Sequence, residues 1–327
     1  MKRLGLILGF LLVISGGLFL LRSPAYWTSA NIKMSPDAPW GSDAARASMH
    51  SLAAAGADRG LLVAFTWQDR PESDTPVLGS DSQPETIRKG LRDIRAAGMA
   101  PVLKIHLWIP GHWAGEVAPA HPDLWFDNYL KAITPLLDVA RAEDVKTVFV
   151  GTEMRGVETA TQWPAFVRAV RARYAGTLVY DTDGLDQAEK FTHWDLFDAV
   201  ATSLYTALPN DRAGRLATMT DVAQHLRALG KRWRRPVWVA ELGIRSGEDV
   251  LRRPWLSPEQ LHVPVDLQIQ KTALLEWRDV LTRHGVSGLS IWCWYTDPMD
   301  GGPDNSDFTI QRKPAEAVLH RPMFRFQ

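Results

Sequence analysis

Residues 146–153 read KTVFVGTE, a short β-branched run that closes on a carboxylate, Glu153. Val148, Phe149 and Val150 have the unbroken apolar character of a strand covered on both faces. Seven more runs resemble it: ANIKM (30–34), GLLVAFTW (60–67), PVLKIHLW (101–108), TLVYDTD (177–183), FDAVATSLY (197–205), PVWVAELG (236–243) and GLSIWCWY (288–295). Amphipathic stretches lie between them, at 43–55, 84–98, 123–143, 161–174, 217–233 and 266–284, with a weaker one near 185–190 and a short one after Pro314. Strands that alternate with helices pair in parallel and are covered by those helices. Eight such units over about 300 residues predict one (β/α)₈ TIM barrel, an α/β fold, across residues 28–327. A doubly wound open sheet would want a phosphate-cradling glycine turn after its first strand, and KMSPDAPWGSD (33–43) has no such spacing.

In a (β/α)₈ barrel the chemistry sits at the C-terminal ends of the strands. Glu153 ends the fourth run and Glu241, in VWVAELG, ends the seventh, 88 residues later. Three βα units of roughly 29 residues each fill that interval, so both acids face the same mouth. Paired carboxylates in that position suit glycoside hydrolysis. One stays protonated for the leaving oxygen and the other attacks the anomeric carbon, with about 5–5.5 Å between them in the retaining geometry. The competing assignment is a pair of rim salt bridges to Arg155 and Arg245. Aromatic company favours the first. Of 14 tryptophans, Trp67, Trp108, Trp113, Trp292 and Trp294 fall at strand ends or in the loops after them, beside Tyr205 and Tyr295. Such faces are platforms for sugar rings. Trp163 and Trp277, on helices, are expected in the core.

The first 27 residues stand apart as a signal anchor or signal peptide. Lys2 and Arg3 precede an apolar run from Leu4 to Leu21, long enough as a helix to cross the ~30 Å hydrocarbon core. The leading positive charges predict export, with the barrel on the periplasmic or extracellular face, anchored to the inner membrane by residues 4–21 and touching membrane only there. A monomer is expected. Lys and Arg number 37, as do Asp and Glu, which argues against a nucleic-acid partner. The basic run KRWRRP (231–236) suits a helix end. The single cysteine, Cys293, excludes an internal disulfide and reads as a small buried residue. His106, His112 and His121 are spaced by six and nine, which puts no two on one helix face, so no metal site is expected. TDPMDGGPDNSD (296–307) lacks the calcium-loop pattern and reads as a polar rim loop, with Asp304 or Asn305 near substrate. No G-x-S-x-G or Walker pattern occurs, and no cofactor is called for.

Several separated segments resemble glycoside hydrolase family 113, clan A (β/α)₈ enzymes that include retaining β-mannanases. They are PVLKIHLWIPGHWAGEV, VFVGTEM, WVAELGIRS, LSIWCWYTDP and KPAEAVL (313–319), in family order over residues 30–320. The resemblance implies Glu153 as general acid/base and Glu241 as nucleophile. It implies substrate contacts at Lys104, His106, Trp108, Trp113, Tyr205 and Trp292, with Asp181 and Asp183 as weaker candidates and Tyr205 placed to hydrogen-bond the nucleophile. Thr152 stands where many clan members have an asparagine that reads the sugar 2-hydroxyl, and Ile105 stands where a proline is expected; both weaken the case for mannan itself. The implied function is a retaining, endo-acting β-glycoside hydrolase on a β-mannan-like or exported bacterial polysaccharide. The alternative is an inactive carbohydrate-binding barrel of an exported-polysaccharide system.

Overall fold

The computed structural model describes residues 26–321. Nine strands occur there: β1 (Trp27–Lys33), β2 (Arg59–Trp67), β3 (Val77–Leu78), β4 (Ala100–Trp108), β5 (Thr147–Thr152), β6 (Thr177–Asp183), β7 (Val200–Leu204), β8 (Val237–Leu242) and β9 (Gly288–Tyr295). Eight are parallel neighbours in the order β1-β2-β4-β5-β6-β7-β8-β9, and β9 pairs back onto β1 to close a (β/α)₈ barrel. The ninth, β3, is two residues that return antiparallel against the end of β2 (Thr66↔Leu78). Its pattern is too short to register in sequence, and its effect is to prop the β2 rim near Trp67.

Seven α-helices fill the connections: α1 (Asp43–Ala54), α2 (Pro84–Ala96), α3 (Pro122–Ala142), α4 (Trp163–Arg171), α5 (Gly184–Lys190), α6 (Arg212–Trp233) and α7 (Leu267–Arg283). Their starts follow ordinary capping chemistry. Ser42 accepts from the Ala45 N–H, Asp266 accepts from the Gln268 and Ile269 N–H groups, and α2 and α3 open on proline. α6 begins five residues before the expected 217, because Asp211 caps it by accepting from the Gly214 N–H. The KRWRRP run does end this helix, with Arg234 turning left-handed at φ 54°.

Alternation along each strand builds the barrel interior in layers. Trp27, Leu61, Val102, Phe149, Val179, Ala201, Trp238 and Ala240 form an apolar plug in the lower barrel. Two residues further along β4, on the same face, comes Lys104, then His106, then Trp108 at the rim. β6 climbs likewise from Val179 to Asp181 and Asp183. The sequence therefore lifts polar groups onto an apolar floor.

One expectation changes here. Trp294 is fully buried and donates its indole N–H to Ser48 on α1 (2.8 Å), so it packs outside the barrel instead of at the mouth. The β1–β9 register jumps from Asn31↔Trp292 to Ile32↔Trp294, which breaks the alternation that placed Trp292 and Trp294 together. The apolar run at 4–21, with the anchor or signal-peptide assignment for 1–27, lies outside the described residues. Among the described residues no helix is long and apolar enough to cross a membrane.

Candidate active site

Glu241 reaches the barrel axis through an irregularity. The pairing of β8 shifts against both neighbours, so that Ser203 faces Glu241 and Leu242 faces Ile291 after a skipped residue. Both Ala240 and Glu241 are turned toward the interior as a result, the re-aiming that bulges perform. Asn31 fixes the irregularity by donating to the Ala240 carbonyl at 2.9 Å. Gly243 then lets Tyr205 close in, since a Cβ there would stand 2.2 Å from the Tyr205 ring.

Three side chains converge on the Glu241 carboxylate. Lys104 Nζ donates to Oε1 at 2.6 Å, His106 Nε2 lies 3.2 Å from the same oxygen, and the Tyr205 hydroxyl donates to Oε2 at 2.9 Å. Burial alone would favour the neutral acid. Lys104 and His106 outweigh it and hold the Glu241 carboxyl well below the usual carboxylate range. Lys104 has no exposed surface and also pairs with Asp181 at 2.8 Å. Burial pushes Asp181 up to about 7 against the pull of Lys104, with Glu241 adding to the rise. Burial also lowers His106, which stays neutral despite Glu241.

Glu153 has the opposite environment. It stands one residue beyond β5 at φ 54°, a left-handed conformation that costs a non-glycine residue on the order of 1 kcal/mol. Its N–H donates to the Asp181 carbonyl at 2.7 Å, which ties the turn to β6. Gly151 lets the Met154 and Tyr180 side chains close in beneath the turn, because a Cβ there would meet Met154 at 2.3 Å and Tyr180 at 3.1 Å. The Trp113 indole donates to Oε2 at 2.9 Å, and Oε1 is buried without a protein partner. Burial pushes the Glu153 carboxyl well above its usual range, and the charges of Glu241, Asp183 and Asp181 push the same way. An indole N–H can only donate, so the carboxylic proton belongs on the unpartnered Oε1.

A second network lies beneath this turn. Tyr180 accepts from the Met154 N–H at 3.0 Å and donates to Glu158 Oε1 at 3.0 Å. Glu158 is buried, and its carboxyl is pushed up to about 7 by that burial. A raised folded pKa gives stability that is fully present below the unfolded value near 4.5 and lost as pH rises through about 7. Glu158→Gln removes that loss. Its melting temperature should gain on the wild type by roughly 5 °C between pH 4.5 and 7.5 in scanning calorimetry. A difference that stays flat across this window would show that Glu158 carries no such proton.

The other expected residues distribute as follows. Trp108 (46% exposed) and Trp113 (37% exposed) stand at the rim, and Trp67 (37% exposed) lies against Trp108 with ring centres 5.9 Å apart. A chain of rings leads inward from this pair, through Phe65 to His106 and on to Trp292, whose ring is 5.6 Å from the imidazole. Asp183 is half-buried, 3.9 Å from Arg155, which also lies over the Trp113 ring. Thr152 is buried and donates its hydroxyl to the Ile105 carbonyl at 3.2 Å. Lys104 and Thr152 thus sit behind the carboxylates, while His106, Trp113, Tyr205 and Trp292 border the space between them. Of the 296–307 loop, Asn305 is engaged by Lys313 and Asp300 by Ser35. His112 pairs with Glu116 and His121 with Asp74, and among the described residues no group of three or more His, Cys, Asp or Glu is placed to hold a metal.

Sequence reasoning gave no role to Lys33, Tyr180, Glu158 or Asn31. The first of these had a signal, a lysine at the end of an otherwise uncharged strand; the others are visible only once the chain is folded.

Comparison with known proteins agrees with this architecture. A family 113 β-1,4-mannanase superposes with a TM-score of 0.78 at 20% identity, covering 90% of this chain and 97% of the other. The family 113 β-mannanase AaManA from Alicyclobacillus acidocaldarius gives a TM-score of 0.75 at 21% identity over 90% and 96% of the two chains. A fungal β-1,4-galactanase gives 0.55 at 16% identity over 84% and 90%. No curated protein matches the sequence. The model of glycoside hydrolase family 113 matches residues 32–313, from the first strand through the loop after the last. The chain therefore belongs to glycoside hydrolase family 113, and the activity of its barrel is that of a glycosidase.

Proposed function

We propose that this protein is a retaining, endo-acting β-glycoside hydrolase that cleaves a β-mannan-like polysaccharide by double displacement, with Glu241 as nucleophile and Glu153 as general acid/base. The observation that carries this is the divergence of the two carboxylates. Lys104, His106 and Tyr205 favour ionised Glu241, while burial and neighbouring negative charge favour protonated Glu153. Two like groups held in opposite protonation states at one pH supply a nucleophile and an acid together. In the first step ionised Glu241 attacks the anomeric carbon as Glu153 gives its proton to the departing oxygen. In the second step Glu153, now ionised, takes a proton from water, and that water displaces Glu241 from the sugar.

The two similar mannanases are described as acting on β-mannan or β-1,4-mannan, which motivates the substrate class. The exposed Trp67–Trp108 pair, well away from the carboxylates along the ring chain, suits a substrate that extends beyond one sugar and hence internal cleavage. The apolar run at 4–21 supports export and an anchor, with residues 28–327 as the catalytic unit. Early proton NMR of the cleavage of β-1,4-manno-oligosaccharides tests the mechanism: the first-formed reducing end should be the β anomer. An α anomer at first appearance would make the enzyme inverting.

Lys104 supplies a separate test. Lys104→Met removes the cation that holds Glu241 ionised and leaves two buried acids without their partner. Breaking such a pair costs about 3–5 kcal/mol of stability. The acid limb of kcat/KM should move to higher pH, because Glu241 must lose its proton before it can attack. An unmoved acid limb would separate Lys104 from the nucleophile's ionisation.

A further inference from the structure

β1 ends at Lys33, half-buried at the mouth, with its ammonium 5.6 Å from the centre of the Trp292 ring and 5.2 Å from that of Tyr295. Ring contacts are its only partners: among the described residues it forms no ion pair and no side-chain hydrogen bond. That is unusual for this site, where Lys104 has two carboxylate partners and Arg155 faces Asp183. Cation–ring contacts offer a partly desolvated ammonium less than a paired carboxylate does.

Two cationic side chains lie behind those two rings. Arg245 is buried and donates to the carbonyls of Ser306, Leu256, Ser257 and Leu261, and Lys313 is buried against Ser246, Asn305 and the Asp307 carbonyl. The acid between them, Asp307, already accepts from the Tyr295 hydroxyl and the Phe308 N–H. Glu259, in the loop after β8, feels Lys33 only at longer range and forms no ion pair with it. Across the mouth Asp183 stands 3.9 Å from Arg155, and Asp181 is paired with Lys104. The acids that follow β9 on the Lys33 side are engaged, Asp300 by the Ser35 hydroxyl and Asp297 by the Met299 N–H, so an anionic group over Trp292 would meet in Lys33 an ammonium without an ion-pair partner.

We infer that the sugar seated over Trp292 carries a carboxylate and that Lys33 is the residue that recognises it. The ligand class is a carboxylate-bearing β-linked glycan, either a uronic acid unit or a pyruvate acetal on a hexose. This rests on the mouth being the glycosidase site proposed above, and it narrows the substrate from a neutral mannan to an acidic polysaccharide.

The test uses calorimetric titration at low salt, in the turnover-blocked Glu241→Gln protein with and without Lys33→Met. Three probes are compared: β-1,4-mannotetraose, the β-1,4-mannuronate tetramer, which differs from it at C6, and a mannotetraose bearing a 4,6-pyruvate acetal. At least one acidic probe should bind about ten-fold tighter than the neutral one. That preference should fall to near unity with Lys33→Met, while mannotetraose affinity changes by less than about two-fold. Whichever acidic probe shows the Lys33-dependent gain identifies the source of the carboxylate. Equal or weaker binding of both acidic probes, or a preference that survives Lys33→Met, overturns the inference. If that happens while wild-type enzyme hydrolyses neutral β-mannan, this inference alone fails. A Lys33-dependent preference in a protein whose wild type hydrolyses none of the three would sustain the inference and defeat the catalytic assignment.

Discussion

Glu241→Gln should abolish turnover, lowering kcat/KM on a β-mannan-type substrate by a factor on the order of 10⁴ or more. The substitution keeps the size and most contacts of the side chain but removes its charge and replaces the attacking oxygen with an amide. Tyr205 can still donate to the remaining carbonyl, so the loss belongs to chemistry more than to placement. Lys104 keeps Asp181 as a partner at 2.8 Å, which limits the damage to the fold. Circular dichroism and the melting profile should therefore remain those of a folded barrel, while product formation vanishes. A Glu241→Gln enzyme with more than a tenth of wild-type kcat/KM, free of contaminating wild type, would remove Glu241 from the nucleophile's role.

Glu153→Ala should have an effect almost as large, but one that depends on the leaving group. A sugar hydroxyl is a poor leaving group and needs its proton delivered, so kcat/KM on oligosaccharides should fall by about 10³-fold. A dinitrophenyl glycoside departs without protonation, and its first step should be nearly unaffected. The second step still lacks its base, so the dinitrophenolate should appear as a burst followed by a slow steady state. Azide, which needs no base, should fit the vacated volume beside Trp113 and restore the steady rate as a β-glycosyl azide. Equal losses on both substrates would mean that Glu153 positions the sugar and transfers no proton. In the wild type the alkaline limb of kcat/KM should follow Glu153, whose raised pKa keeps it protonated well above the ordinary carboxylate range.

The barrel was legible because its signal is repeated. Each of the eight runs is weak alone, yet eight β-branched segments separated by amphipathic helices leave few alternatives. Glu153 and Glu241 were legible for a related reason: their spacing matches a whole number of βα units, so both fall at strand ends. What the sequence did not reveal follows from departures from regular pairing. Alternation puts Trp292 and Trp294 on one face, and the register jump between β1 and β9 sends Trp294 to α1. Alternation from Trp238 would point Glu241 away from the axis, and the shifted pairing of β8 brings it in. Lys104 shows a different limit. A lysine on a strand near the mouth suggests a substrate contact, but burial decides the matter. With no exposed surface, its donors go to Glu241 and Asp181, and its influence on a sugar passes through them. Thr152 is similar, with its hydroxyl turned to the Ile105 carbonyl.

The most direct test of Glu241 as nucleophile is to trap the glycosyl–enzyme ester. Wild-type protein is incubated with the 2-deoxy-2-fluoro glycosyl fluoride of a sugar it turns over, then digested and mapped by mass spectrometry. The fluorine slows both steps by destabilising positive charge at the anomeric carbon, while the fluoride leaves readily, so the ester accumulates. One added glycosyl mass should appear on Glu241, and none should appear in Glu241→Gln. A label on Asp181 or Glu153 instead would contradict the double-displacement role assigned to Glu241.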